Sequence, residues 1–355
     1  MPTLDIYRLT FRDGLHVGFH GIGQEKVLAH IPSDTLFAAL VSTRSHWHGD
    51  ADQWVANFGS EPPLRLTSAF PYAGDVLFYP RPLKAPMVMD PKGWRKIRFV
   101  SETILGYLLK GEVPEAYLLA SQNEEPAKGL GLQNGSLWLA MDEKEKLPSS
   151  LLTKKIKGKV ERLNLKAIQR QQVWQEKTIP RVTVDRVSNT SEIFHTGRIQ
   201  FKEGCGLWFG VQWKDQSLRA EMEETLRVLG DTGLGAERSV GYGAFTYNRA
   251  ENSLPYYDPP PGGRLFLLSR FYPADAEDAK SLLDGATYDL VRVTGRVQTV
   301  GAANQRRQGV HLIVEGSLIG GTARGGLAEV SPKVGSFPHN VYRYGLALGI
   351  GVEAQ

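Results

Sequence analysis

Apolar residues recur along this chain with two periods, and the switches between them outline its elements. TLDIYRLTF, residues 3–11, alternates, with Leu4 and Ile6 on one face, Arg8 breaking it, then Leu9 and Phe11, and reads as a strand. A glycine-punctuated turn region, Gly14 to Gly23, follows. IPSDTLFAALVSTRSHWHG then takes the helical period. Leu36, Leu40, Thr43 and Trp47 form one face, Pro32 lies beside the caps Ser33 and Asp34, and Gly49 stops the helix. Leu64 to Tyr79 reads as strand pairs with Pro71 and Gly74 between them, and YPRPLKAP (79–86) as an extended run.

Residues 90–180 carry a weaker pattern. A helical patch lies near Glu102–Leu109, the polar run 121–150 is expected to be loop, and KKIKGKVERLNLKAIQRQQVWQEK (154–177) is expected to be exposed. RVTVDRV and GLWFGVQW read as strands flanking a turn-rich SNTSEIFHTG. Ser217–Leu229 has helical spacing, with Leu218, Met222, Leu226 and Leu229 aligned, and is followed by a glycine loop and the strand AFTYN.

NSLPYYDPPPGG, residues 252–263, has the proline and glycine density of a linker. Beyond it the pattern restarts as strand RLFLLSRF, helix ADAEDAKSLLDG, and strands YDLVRVTGRV, HLIVEGSLI and VYRYGLALGIGV. The expected fold class is therefore α+β, with two ferredoxin-like (RRM-like) units. The first spans 1–251 and is enlarged by insertions at about 90–180; the second spans 264–355.

Composition narrows the chemistry. The chain has 355 residues, no apolar run of membrane-span length, and one cysteine, Cys205, so neither a disulfide nor a cysteine metal site is expected. No export signal is read at the N-terminus, and a cytoplasmic location is the expectation. The net charge of +4 is unevenly spread: ten Lys and Arg stand between Lys154 and Arg186 against Glu161, Glu176 and Asp185. Such a segment fits either a polyanion contact or a solvated surface.

The densest glycine run, GDTGLGAERSVGYGAF (230–245), fails both nucleotide-cofactor patterns. Arg238 stands where a dinucleotide fingerprint needs its third glycine, and Ala236-Glu237 where a P-loop needs Lys-Ser or Lys-Thr. Moreover, the helix precedes the loop, so its negative dipole end faces the glycines. An anion there must be held by loop N–H groups, Arg238 and Ser239. The structural alternative is a helix cap at Gly230 followed by a turn.

GLGAERSVGYGAF resembles the glycine-rich loop of the RAMP superfamily, RNA-binding proteins of CRISPR systems built from ferredoxin-like units. HIPSDTLFAAL (30–40), LFYPRPL (77–83), RVTVDRVSNTSEIFHTG (181–197), VEGSLIGG (314–321) and VYRYGLALGIGV (341–352) are similar, in order, to the Csm subunit-four family of type III-A effector complexes. No match is evident through residues 90–160. The resemblance implies a non-catalytic subunit, without cofactor or metal. It would bind the 5′ handle of the guide crRNA, dock the large polymerase-palm Csm subunit, and contact the backbone RAMP subunit of the Csm filament. It makes Gly233, Gly235, Arg238, Ser239, Gly241 and Gly243 RNA-contact candidates. The start of the first helix adds Ser33 and Thr35, and the basic segment adds Lys154, Lys155, Lys157, Lys159, Arg170, Trp174, Arg181 and Arg186. Arg306 and Arg307, in the loop before HLIVEGSLI, are candidates for a third phosphate contact from the second unit.

Other chemistry is weaker. His46 and His48, two apart on a helix, do not share a face, and His16 and His20 on a strand would lie roughly 13 Å apart. Some RAMP relatives cleave guide precursors without metal, and His16, His20 and His30 would be the bases in that alternative, yet no partner acid accompanies them. Asp13 in RDG is the one loop acid placed for target cleavage, and it also suits a turn. Among the aromatic residues, Trp94, Trp174, Trp208, Trp213, Tyr242 and Tyr344, Trp174 is the best base-stacking candidate because basic residues surround it.

Overall fold

The computed structural model describes residues 3–18, 27–59, 61–84, 91–112, 117, 128–156, 158–184, 191–250, 254–255, 258–297, 305–333 and 337–353. In the first part of the chain the strands are β1 (Thr3–Phe11), β2 (Leu64–Leu66), β3 (Phe70–Ala73), β4 (Val76–Pro80), β5 (Phe99–Ser101), β6 (Gly129–Leu132) and β7 (Leu137–Ala140). A short hairpin, β8 and β9 (Thr153–Ile156, Lys159–Arg162), and a long ribbon, β10 and β11 (Trp174–Val184, Ser191–Phe201), precede β12 (Cys205–Trp213) and β13 (Phe245–Arg249). One mixed sheet runs β13–β1–β12–β3–β4–β5–β7–β6, with β2 also on β12. Its first four positions, with helices Ser33–Trp47 and Arg219–Thr232 as the connections, follow the β-α-β-β-α-β order of a ferredoxin-like unit.

The alternation in β1 works on both faces. Tyr7 and Leu9 pack toward the two helices with Leu36, Phe37, Leu40, Leu226 and Leu229, while Leu4 and Ile6 pack in the core shared with the insertion. Arg8, on the second face, reaches Asp75 at 3.0 Å. β12 is likewise covered on both sides, which is why GLWFGV is an unbroken apolar run.

Two expectations change here. Residues 129–132 and 137–140, expected as loop, are strands that widen the main sheet and place Leu130, Leu132, Leu137 and Leu139 in its core. Ser191–Gly197, expected as turn, belongs to an eleven-residue strand paired with β10 throughout. Beyond its buried base at Trp174 and Thr196–Ile199 the ribbon is largely exposed, and it lacks the clean apolar alternation that marks a half-buried strand.

Past β14 (Leu254–Pro255), which pairs with β1, come β15 (Arg264–Leu267), helix Ala276–Leu283, β16 (Leu290–Val293), β17 (Val310–Ile313) and β18 (Leu318–Gly320). β19 (Gly325–Glu329), β20 (Tyr342–Leu346) and β21 (Gly349–Val352) complete the chain order. A three-stranded sheet, β18–β15–β21, carries the third core, and β16–β17 and β19–β20 are separate hairpins. Among the described residues this part has one helix, as read from the sequence, and hairpin β19–β20 occupies the chain position where a ferredoxin-like unit has its second. HLIVEGSLI is broken by Gly316 at φ +85°, and VYRYGLALGIGV divides into two strands.

The two parts of the chain meet at the start of helix Ser33–Trp47. Asp34 is completely buried and holds Arg270 Nη1 at 3.2 Å and Arg343 Nη1 at 3.0 Å, one arginine on each carboxylate oxygen. The Ser33 hydroxyl accepts the Arg270 backbone N–H at 2.9 Å, and the Leu66 N–H donates to the Tyr344 hydroxyl at 2.7 Å. Among the described residues no helix is long and apolar enough to cross a membrane.

Replacing Asp34 by Ala strands two buried guanidinium groups. A loss of about 3–5 kcal/mol is expected, read as a lower urea midpoint, whereas Asp75→Ala, at an exposed pair, should leave the midpoint nearly unchanged.

Candidate nucleic-acid interface

A groove of about 570 Å³ lies between the first unit, its insertion and the C-terminal part. Apolar residues make its floor, with Leu28 and Leu83 half-buried at the surface of the groove and Val17, Phe70, Ile97 and Phe99 buried behind it. Six arginines line it: Arg81, Arg95, Arg98, Arg270, Arg292 and Arg343. Arg270 and Arg343 are tied to Asp34. Among the described residues no carboxylate lies within ion-pair distance of Arg81, Arg95, Arg98 or Arg292. Asp289 and Glu315 are the acids of the wall, and Glu315 is engaged by Ser68 and Arg270.

The local sequence explains the wall. Pro80 and Pro82 keep the chain extended through Arg81, whose Nε donates to Ile97 O at 2.6 Å and whose guanidinium lies 5.2 Å over Trp94. Leu83 N–H donates to Gly316 O at 3.2 Å, and a Cβ on Gly316 would stand 2.5 Å from Arg81 O. The stretches LFYPRPL and VEGSLIGG thus touch at the groove edge. Sequence reading missed these arginines as a group, because five separate stretches of the chain supply them. Their one local signal is RKIR at 95–98, three cations in the four residues before the buried Phe99.

The glycine loop is built chiefly by close packing. Helix Arg219–Thr232 runs past Gly230 and is capped by Gly233, φ +84°, so Gly230 is not the cap. A Cβ on Gly230, Gly233, Gly235 or Gly243 would meet backbone oxygens of Phe245, Tyr242, His16 and Leu234 at 2.6, 2.7, 2.4 and 1.9 Å. Gly241 alone of the five faces open space, beside the exposed Arg238 and Ser239. Ribbon β10–β11 leans on this loop: Arg181 lies 5.4 Å and Arg198 5.6 Å over the Tyr242 ring, and Arg181 Nε is 3.8 Å from Glu237. Ala236 N–H donates to His16 O, while Val17 and Gly18 line the groove, so residues 16–18 connect loop and groove.

The remaining expected residues divide. Thr35 lines the groove, but Ser33 is buried with its hydroxyl committed to Arg270. Lys154, Lys155 and Lys159 are exposed on hairpin β8–β9, and Arg170 is exposed after helix Leu165–Gln169. Lys157, Arg186 and His20 lie outside the described residues. Trp174, the first residue of β10, is 1% exposed in the core, so its ring presents no face to a base, although Glu176 and Lys177 beside it are exposed. Trp94, Trp208, Tyr242 and Tyr344 are buried as well. Arg306 is exposed, whereas Arg307 Nη2 donates to Arg296 O at 2.9 Å, and burial together with the Arg343 charge draws its pKa down to about 10.

The histidines and Asp13 have structural surroundings. His16 is buried with Nδ1 2.6 Å from Gly197 O, and Asp13 pairs with Arg198 at 3.3 Å. Among the described residues no three His, Cys, Asp or Glu side chains cluster to hold a metal. His30, on the groove floor, is held neutral: burial, then the Arg98 and Arg270 charges, lower its pKa to about 3. The folded chain therefore refuses a proton that the unfolded chain accepts near pH 6.5. The associated stability is complete above that pH and declines as pH falls toward 3. Urea midpoints at pH 7.5 and 5.0 should separate less in His30→Gln than in the unsubstituted chain. Gly243→Ala, at φ +78° against Leu234 O, should cost about 1–3 kcal/mol or more, and the exposed Gly241→Ala less.

The fold is similar to that of solved proteins. It matches a chain of the Csm3–Csm4 subcomplex of the type III-A CRISPR–Cas interference complex. The TM-score is 0.63 at 16% identity, covering 97% of this chain and 98% of that one. A chain of the Csm1–Csm4 cassette in complex with pppApA matches with a TM-score of 0.54 and 18% identity, over 100% and 99% of the two chains. Residues 261–352 match the family model for the CRISPR Csm4 C-terminal domain. The CRISPR system Cms protein Csm4 of Thermococcus onnurineus (strain NA1) is 26% identical over 323 residues, 90% of this chain and 91% of the relative. Residues 261–352 thus carry the Csm4 C-terminal domain, and over nine-tenths of its length the chain is similar to a protein named Csm4.

Proposed function

We propose that this chain is a non-catalytic subunit of a type III-A effector complex that binds the 5′ handle of the guide crRNA. It docks the large Csm1-type subunit and contacts a Csm3-type backbone subunit, in the cytoplasm. The observation that carries the RNA-binding part is the groove: arginines without carboxylate partners among the described residues, above an apolar floor, in a Csm4-family fold. Single-stranded RNA needs this combination, cations for phosphate and apolar surface for bases. The partners are supported by relatives solved as Csm3–Csm4 and Csm1–Csm4 assemblies. We assign residues 1–251 to one unit, 252–263 to a linker and 264–355 to a second, incomplete ferredoxin-like unit.

Within this reading the groove arginines and Thr35 are the main contacts. Arg238, Ser239 and the Gly241 turn form a second contact along residues 16–18, and Lys154, Lys155, Lys159, Arg170 and Arg181 supply charge at the ribbon and hairpin. Ser33 acts through the joint between the two parts of the chain instead.

The test is retention of guide RNA with a native or scrambled 5′ handle by the chain assembled with its large-subunit partner, across a salt series. The native handle should be retained preferentially. Arg98→Ala and Arg292→Ala should each weaken binding and reduce the slope of log K against log salt by roughly 0.7 for every phosphate no longer neutralised. Arg238→Ala should weaken retention more modestly. RNA recovered at full length in chelator supports a binding subunit. Discrete shorter RNA in chelator, abolished by His16→Ala or His30→Ala, would make the protein a processing endonuclease.

A further inference from the structure

The groove has features that backbone binding does not use. A phosphate track needs cations at a rim and gains nothing from recessed apolar residues, yet half-buried Leu28, Leu83 and Val293 are part of the lining and His30 among them carries no charge. Asp289 and Glu315 on the wall would repel a phosphate seated against them, while a base edge can donate to carboxylates. Along β16, Leu290 and Arg292 stand two residues apart, hence on the same face of the strand, and both line the groove. Leu290 is 52% exposed, a large apolar side chain with a cation next to it. A volume of about 570 Å³ is that of a small-ligand pocket and admits no duplex.

We propose that the groove takes one nucleotide turned out of the RNA strand, its base seated between Leu290 and the apolar floor and its flanking phosphates on Arg98 and Arg292. The proposal rests on the handle-binding reading above and adds where one base goes. Leu290 is the residue that separates the two ideas, because it contributes nothing to phosphate attraction. The clamp on Arg270 and Arg343 makes the pocket rigid before RNA arrives, so little ordering is needed when the base enters.

Guide RNAs carrying an abasic nucleotide at each handle position in turn, bound to the assembled complex, test this directly. One position should lose roughly 10-fold in affinity, as expected for one seated base, and its neighbours much less. The exposed Leu290→Ser variant, which changes no charge, should bind the native guide about 10-fold more weakly and no longer discriminate the abasic RNA at that position. Abasic penalties spread evenly over the handle, or a single penalty unaffected by Leu290→Ser, would overturn the pocket while leaving handle binding in place. Native and scrambled handles retained alike would remove the handle reading, and the pocket with it.

Discussion

A single buried carboxylate decides how the two parts of this molecule sit. Asp34 has no solvent exposure, and its two oxygens take one arginine each from the C-terminal part, Arg270 and Arg343. A charge buried so deeply is tolerable only with good partners, so the carboxylate tightly constrains where both guanidinium groups are placed. Its position in the first turn of helix Ser33–Trp47 adds the favourable end of the helix dipole. The pairs need not add net stability over an apolar joint of the same shape. What they add is orientation: β20 is held against the first helix, and the same two arginines become part of the groove wall.

The glycine loop and the groove have different physical logic. In the loop, four glycines are required because backbone oxygens of neighbouring segments occupy the space of a side chain. That packing secures the loop to residues 14–18 and, through Tyr242 and Glu237, to the base of the ribbon. Close packing and RNA contact are compatible, because the tip at Arg238–Gly241 remains at the surface. The groove, in contrast, depends on charge: four arginines without ion-pair carboxylates among the described residues surround a floor that water solvates poorly.

The first ferredoxin-like unit is legible in the sequence because each of its elements has one strong period. β1, helix Ser33–Trp47, helix Arg219–Thr232 and β13 lie within a few residues of expectation. Strands of three or four residues such as GLGL have too few positions to show alternation, and their polar surroundings read as loop. In the second unit one helix is read where a ferredoxin-like unit has two; Pro332, Pro338 and the glycines of 325–345 oppose a helix at the other's chain position, and the hairpin formed there packs on the first unit. At the site, Arg238 and Thr35 come from local motifs. The groove arginines are separated by up to about 260 positions, and no window of sequence shows them converging. Trp174 misleads because neighbouring charges do not reveal which way an aromatic ring points.

The central claim is that the guide's 5′ handle lies in the groove between the two parts of the chain. Photo-crosslinking from 4-thiouridine placed through the handle of an assembled complex, with the modified peptides identified by mass spectrometry, tests it most directly. Crosslinks on residues 81–83, 95–99 and 289–295 are predicted. Crosslinks confined to the β8–β9 hairpin or the ribbon, with the groove peptides unmodified, would contradict it.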